Sequence, residues 1–208
     1  MSPRKAAALR DSADDRGLRD HLIATAQRLI AEQGAAGLTV RAIARTAGVA
    51  DGVLYNHFAD KDELLTAAVT AHAAAAHAAL GPLPKPGSAT VEQNLRAYLR
   101  AGLALHQAVL PVFAGLLASP AVLARFAESE ARDNDWRAQL TRYLHAEQES
   151  GRIAPEAAVD AAAAMLVGVC HDRVLTVLLS GARPAPLTAV DIESIVGTLL
   201  AGLGPRDN

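Results

Sequence analysis

Several features that would place a chain in a functional class are scarce or missing here. One cysteine, Cys170, stands among 208 residues, so no intrachain disulfide can form and a disulfide-stapled secreted domain is excluded. Aromatic residues make up 3% of the chain, few for the bulky core of a β-sandwich. An excess of one charge is also missing, with 20 Lys/Arg against 22 Asp/Glu and a net charge of −2. The first 65 residues carry nine of each sign, so no uniform field marks a polyanion-coating protein. Met1 to Gly17 mixes Arg4, Lys5, Arg10 and Arg16 with Asp11, Asp14 and Asp15, and has no apolar run of signal-peptide length. Only residues 153–171 approach a membrane-spanning run. Glu156 and Asp160 interrupt it and His171-Asp172-Arg173 follows, so a soluble cytoplasmic protein without a membrane partner is expected.

Catalytic and metal signals are sparse too. His72 and His77 are five residues apart, which does not stack them on one helical face as an i, i+4 pair would, and no metal site is expected. His171, Asp172 and Arg173 are consecutive, so on a helix they point in different directions. No nucleophile motif or Gly-rich phosphate loop accompanies them. The expectation is a chain with no catalytic residues and no cofactor.

Hydrophobic residues are plentiful at 51%, with alanine abundant, and alanine is the strongest helix former. An all-α fold of about nine helices is therefore expected. Residues 1–18 read as a flexible arm. A first helix is expected over 19–33, with Leu22, Ala26, Leu29 and Ile30 on one face, ended by Gly34 and Gly37. Thr39 reads as the N-cap of a short second helix with Val40, Ile43, Ala44 and Ala47 inward, stopped by Gly48. A third short helix follows over about 51–57. Asp60-Lys61-Asp62-Glu63 opens a fourth through a variant capping box, and the helix runs to about Leu80. The Pro/Gly cluster from Gly81 to Gly87 is the clearest internal break. Beyond it, Thr90-Val91-Glu92-Gln93 opens a helix to about Leu110, where Pro111 is expected to break or kink it. Ser119-Pro120 starts another helix, and a charged one covers about 131–149. Pro155 is expected to open a long helix ended by Gly181. Thr188 caps a last one that stops at Gly204-Pro205. No strand pattern and no repeat is present.

Three short helices within about 40 residues are the form of a helix-turn-helix. Residues 22–69 also carry Gly34, Leu38-Thr39-Val40, Ile43-Ala44, Ala47-Gly48-Val49, Gly52, Leu54-Tyr55, His57-Phe58, Lys61 and Leu64-Leu65. In that combination the segment closely resembles the DNA-binding domain of the tetracycline-repressor (TetR) family. The resemblance covers about a quarter of the chain; the rest resembles the family in helicity and length. It implies a helix-turn-helix domain over 19–65, joined by the fourth helix to a ligand-binding and dimerisation bundle over 66–208. It further implies that the third helix enters a major groove. Asp51, Val53 and Asn56 would then face base edges, while Tyr55, His57 and Lys61 hold phosphates. Thr39 and Arg41 would hold the backbone from the second helix, and Ala50 and Gly52 lie on the same surface. Tyr, His and Lys supply phosphate donors, and Lys61 sits at a helix start that attracts anions. Asn pairs with adenine, Asp accepts from cytosine N4, and Val touches a thymine methyl. The family usually has Ser or Thr where this chain has Ala50, so Asp51 either takes over the cap or reads a base. Both alternatives stand.

The resemblance also implies a homodimer through the last two long helices, a palindromic operator, and release by a small apolar or amphipathic effector. Polar or aromatic residues on apolar helices are the effector-site candidates: Tyr98, His106, Phe113, Trp136, Tyr143, Met165 and Arg173. His106 shares the Leu95, Leu99 and Leu103 side of its helix. The competing expectation is a helical small-molecule-binding protein or enzyme with no role on DNA.

Overall fold

The computed structural model describes residues 3–35, 38–129, 136–181 and 185–202, with side chains described from residue 15. Among them the chain forms nine α-helices and no strand. These are α1 Pro3–Gln33, α2 Val40–Ala47, α3 Asp51–His57, α4 Lys61–Ala78 and α5 Val91–Gly115. They are followed by α6 Pro120–Glu128, α7 Trp136–Glu149, α8 Val159–Ser180 and α9 Ala189–Ala201.

Local chemistry sets most of these boundaries. Thr39 accepts the Ala42 N–H at 3.1 Å and starts α2. Thr90 and Gln93 satisfy each other's backbone N–H groups ahead of α5, and Thr188 and Asp191 do the same at α9. Gly34, Gly48 and Gly181 take φ of 78°, 75° and 68°, the left-handed conformation that ends a helix without a Cβ clash. Gly37, residues 131–135 of the expected charged helix, and Gly204-Pro205 lie outside the described residues.

Three boundaries differ from expectation. Helix α1 begins at Pro3, not at 19, so the expected arm is largely helical. Residues 3–18 are rich in alanine, contain no β-branched residue, and start with a proline whose missing N–H is no loss in a first turn. Pro111 does not stop α5, which continues to Gly115. An interior proline costs about 3 kcal/mol, here offset by burial of Val112 and Leu116 just beyond it. Pro155 does not open α8, which begins at Val159. Instead, Pro155 belongs to a turn whose Ala154, Pro155 and Ala157 carbonyls accept from the Gln148 side-chain amide. Helix α6 starts where expected, with Ser119 at the N-cap position and Pro120 in the first turn, although the Ser119 side chain makes no cap bond.

The chain divides into two compact units, Met1–Ala75 with Pro111–Ala131, and Ala76–Leu110 with Arg132–Asn208. The first unit buries Leu22, Ala26 and Ile30 of α1 with Ile43, Ala44, Leu54, Phe58, Leu64, Leu65, Ala68 and Val69. Val112 and Leu116 of α5 and Val122 of α6 complete that core. The division at 65/66 expected from the sequence thus falls inside α4. The second unit is built on Leu95, Leu99, Leu140, Leu144, Leu166, Ile192 and Val196 around Trp136. Helix α8 is long and apolar enough to cross a membrane by length and composition. Here its Val159, Ala163, Leu166 and Cys170 belong to that core, and Val174 continues the same buried stripe.

Candidate nucleic-acid interface and effector site

Helices α2 and α3 form two short rods joined by a tight turn. Ile43 and Ala44 bury the inner face of α2, and Gly48 closes it with its N–H directed to the Ala44 and Arg45 carbonyls. The Val49 N–H returns to the Ala44 carbonyl at 3.0 Å, and Ala50 enters α3 in extended conformation. Leu54 and Phe58 anchor α3, both buried. Its outer face is then fixed by helical spacing. Asp51, Gly52, Tyr55 and Asn56 are exposed, and Tyr55 is 60% accessible. Val53 is half-buried.

The structure therefore brings together most of the residues expected on DNA. Thr39, Arg41, Ala50, Asp51, Gly52, Tyr55, Asn56 and Lys61 are exposed in the first unit. His57 is different. Its side chain is only 6% exposed, with Nδ1 3.4 Å from the Asp15 carboxylate on α1. Asp15 of α1 stands against this ring, and the His57 side chain is withdrawn from the surface on which Tyr55 and Lys61 are exposed. Asp51 departs from the capping reading left open for it. Ala50, not Asp51, is the N-cap, and no side chain caps α3. The Asp51 carboxylate instead lies 3.4 Å from Arg41 Nε.

The capping box expected from Asp60 and Glu63 forms at the start of α4, and two residues missed by sequence reasoning, Arg125 and Arg19, reinforce it. Asp60 Oδ1 accepts the Glu63 N–H at 2.7 Å, and Glu63 reaches back to the Ala59 N–H at 2.7 Å. Arg125 of α6 forks onto Asp60 through two bonds of 2.7 and 2.8 Å. That fork, with the Glu63 N–H, holds the Asp60 carboxyl well below its usual range. Arg19 lies over the Phe58 ring at 4.7 Å and reaches Glu63 at 3.4 Å.

Four of the seven effector-site candidates form two aromatic pairs within the second unit. Tyr98 and Tyr143 stack with ring centres 4.8 Å apart, and Tyr98 donates to the Pro84 carbonyl at 3.3 Å. Burial pushes both phenols up, Tyr143 strongly. His106 meets Trp136 edge-on at 5.4 Å, and its Nδ1 lies 2.6 Å from the Gly102 carbonyl. Only a protonated Nδ1 can donate there, which sets the tautomer of the neutral ring. His171, not foreseen as part of this group, lies 5.0 Å from His106. The Trp136 indole N–H is buried without a hydrogen-bond partner among the described residues. Gly102 makes room for that indole, because a Cβ there would stand 2.4 Å from Cζ2. An isolated glycine inside a helical pattern was the available signal.

The remaining three candidates lie apart from these pairs. Phe113 packs on Phe126 at 4.8 Å in the first unit. Met165 is 62% exposed on α8. Arg173 donates to the Ala185 carbonyl and so ties α8 to the segment before α9. Beside the tyrosines, buried Glu147 accepts the Gly87 N–H at 3.1 Å and pairs with Arg152 at 3.2 Å, holding the Pro/Gly segment. No cluster of three or more potential metal ligands occurs among the described residues.

Comparison with known proteins agrees with this arrangement. Residues 22–68 match the family of bacterial regulatory proteins, tetR family. The HTH-type transcriptional repressor NemR of Escherichia coli is 31% identical over 80 residues, 38% of this chain and 40% of that protein. The match thus spans well under half the length of the curated relatives. The fatty acid degradation regulator FadR from Bacillus halodurans superposes with a TM-score of 0.65 at 23% identity, covering 90% of this chain and 97% of that one. The flavonoid-responsive regulator FrrA superposes with a TM-score of 0.63 at 25% identity, over 88% and 93% of the two chains. Residues 22–68 thus carry the pattern of the tetR family of bacterial regulatory proteins, and the chain as a whole shares the all-helical fold of these regulators.

Proposed function

We propose that this chain is a ligand-responsive DNA-binding regulator, a cytoplasmic repressor that leaves a palindromic operator when a small apolar or amphipathic effector binds. The observation that carries the reading is the exposed stripe of Asp51, Gly52, Tyr55 and Asn56 on a two-turn helix seated by Leu54 and Phe58. A helix so short and so anchored suits insertion into a major groove, with Thr39, Arg41 and Lys61 flanking it for phosphates. Domains follow the same reading, with α1–α3 as the DNA-binding part.

Tyr98, His106, Trp136 and Tyr143, with His171, are the group best suited to an effector. They offer aromatic faces for an apolar body and an unpaired indole N–H for an acceptor. The similarity to a flavonoid-responsive regulator supports the same effector class. A second copy of the chain is the occupant proposed for α8 and α9. Leu179 and Val190 are 85% and 68% exposed, and a groove of about 590 Å³ is lined by Met165, Val169, Ile195 and Leu199. Apolar surface of this kind marks association, and a two-fold dimer matches two half-sites.

The test is binding of the purified chain to duplexes selected from random sequence, with sedimentation of the free chain. A palindromic consensus, a steep salt dependence and a dimer are expected. A bound effector should weaken operator affinity by about 5–150-fold, the range of ordinary allosteric coupling. Equal affinity for selected and scrambled duplexes would refute the DNA-binding reading. A monomer at micromolar concentration would refute the α8–α9 interface.

A further inference from the structure

Asp51 is a carboxylate on the surface proposed to meet a polyanion, where a negative charge ought to oppose binding. The structure removes the capping explanation for it. The N-cap of α3 is Ala50, and the partner of the Asp51 carboxylate is the Arg41 guanidinium. The contact is made through Nε, at 3.4 Å, and the Arg41 side chain is 87% exposed. Arg41 is the second residue of α2 and Asp51 the first of α3, so the pair bridges the two rods across the Gly48 turn.

The geometry points to Asp51 as a positioning residue for Arg41. Using Nε for the carboxylate fixes the guanidinium plane and leaves the two terminal nitrogens turned to solvent as a fork. Such a fork matches the paired oxygens of a backbone phosphate. The inference rests on the DNA-binding reading above, and it assigns the pair to phosphate rather than to a base. It also accounts for a reading surface without a positive excess. The carboxylate spends charge to give one cation a fixed direction, so the side chain is ordered before the duplex arrives. An exposed pair of this kind adds little to folding stability. Its effect belongs in the bound complex.

The sign of one substitution separates positioning from simple charge. Asp51→Asn removes a negative charge, so repulsion alone predicts tighter operator binding. Positioning predicts weaker binding by about tenfold, the worth of one charge-assisted hydrogen bond. A cycle of the wild-type chain, Asp51→Asn, Arg41→Ala and the double variant should show the loss only where Arg41 is present. With Arg41 absent, Asp51→Asn should leave affinity unchanged or raise it. The slope of log affinity against log salt should flatten by about one in Arg41→Ala. The preferred base at every operator position should stay the same in Asp51→Asn, and so should the melting temperature. Tighter or unchanged binding of Asp51→Asn in the Arg41 background would overturn the inference, as would an altered base preference or a lowered melting temperature. A wild-type chain that prefers no duplex overturns the DNA-binding reading and this inference with it. Operator binding without coupling overturns this inference alone.

Discussion

Gly102→Ala is a small change with an outsized expected effect. Gly102 is a buried residue of α5 that faces the indole of Trp136. A Cβ added there would lie 2.4, 2.7 and 2.8 Å from Cζ2, Cη2 and Cε2 of that ring. Carbon atoms in comfortable contact stand about 3.5–4.0 Å apart, so the ring or the helix must move by roughly 1 Å. Trp136 is 1% exposed and meets His106 edge-on, so it has little room to retreat. Two opposing contributions decide the outcome. Alanine in place of glycine favours a helix interior by about 0.8–1 kcal/mol. Overpacking a tight core costs about 1–3 kcal/mol. With three ring atoms in conflict, the upper half of that range applies, and the net loss is about 1–2 kcal/mol. For a chain of this size the melting temperature should fall by about 2–8 °C. Trp136 is the only tryptophan, so its fluorescence reports the same site without a label. Thermal unfolding followed by circular dichroism is the assay, with Trp136 emission as a second readout in the single variant and Gly102→Ala/Trp136→Phe as the relieving variant. A Gly102→Ala chain that gains stability with unchanged emission would refute the close packing of α5 on Trp136.

Two further outcomes follow from titrating groups. The Arg125 fork, then the Glu63 N–H, depresses the Asp60 carboxyl, so its folded value lies below the ordinary 3.8. The stability it contributes is therefore present above about pH 4 and is lost as pH falls through the folded value. Arg125→Ala should raise the Asp60 titration toward 3.8 in carboxyl-carbon NMR, and an unmoved titration would contradict the fork. Burial pushes the Cys170 thiol up to about 12, and the side chain has no exposed surface. A thiol reagent at pH 8 should leave the folded chain unlabelled and react only at the rate of unfolding. Rapid labelling under native conditions would place Cys170 at the surface instead.

What could be read from the sequence is what short-range chemistry controls. The caps at Thr39, Asp60, Thr90 and Thr188 were legible because a cap joins residues three or four apart. The left-handed stop at Gly48 was legible for the same reason. Long-range geometry was not. Trp136 and Gly102 are both conspicuous residues, but only the pairing of α5 with α7 shows that one exists to accommodate the other. The fork from Arg125 to Asp60 joins residues 65 apart in the chain. His57 carried the family's pattern, yet its surroundings depend on how far α1 extends toward the N-terminus. Pro111 reads locally as a break or a kink, and burial of Val112 and Leu116 carries the helix past it. Asp51 left two roles open because its partner, Arg41, belongs to the preceding helix.

The core of the first unit has a consequence for anyone transplanting this module. The pattern ends at Leu64-Leu65, and a chimaera cut at the Gly81 cluster would look complete in sequence. It would lack Val112, Leu116 and Val122, all buried beside α1–α4, and would leave Asp60 without Arg125. The hole left by those three side chains would be filled by water or collapse. A donor fragment therefore needs residues 111–131 re-attached through a new connection, and what is inherited as one stretch of sequence folds only as two.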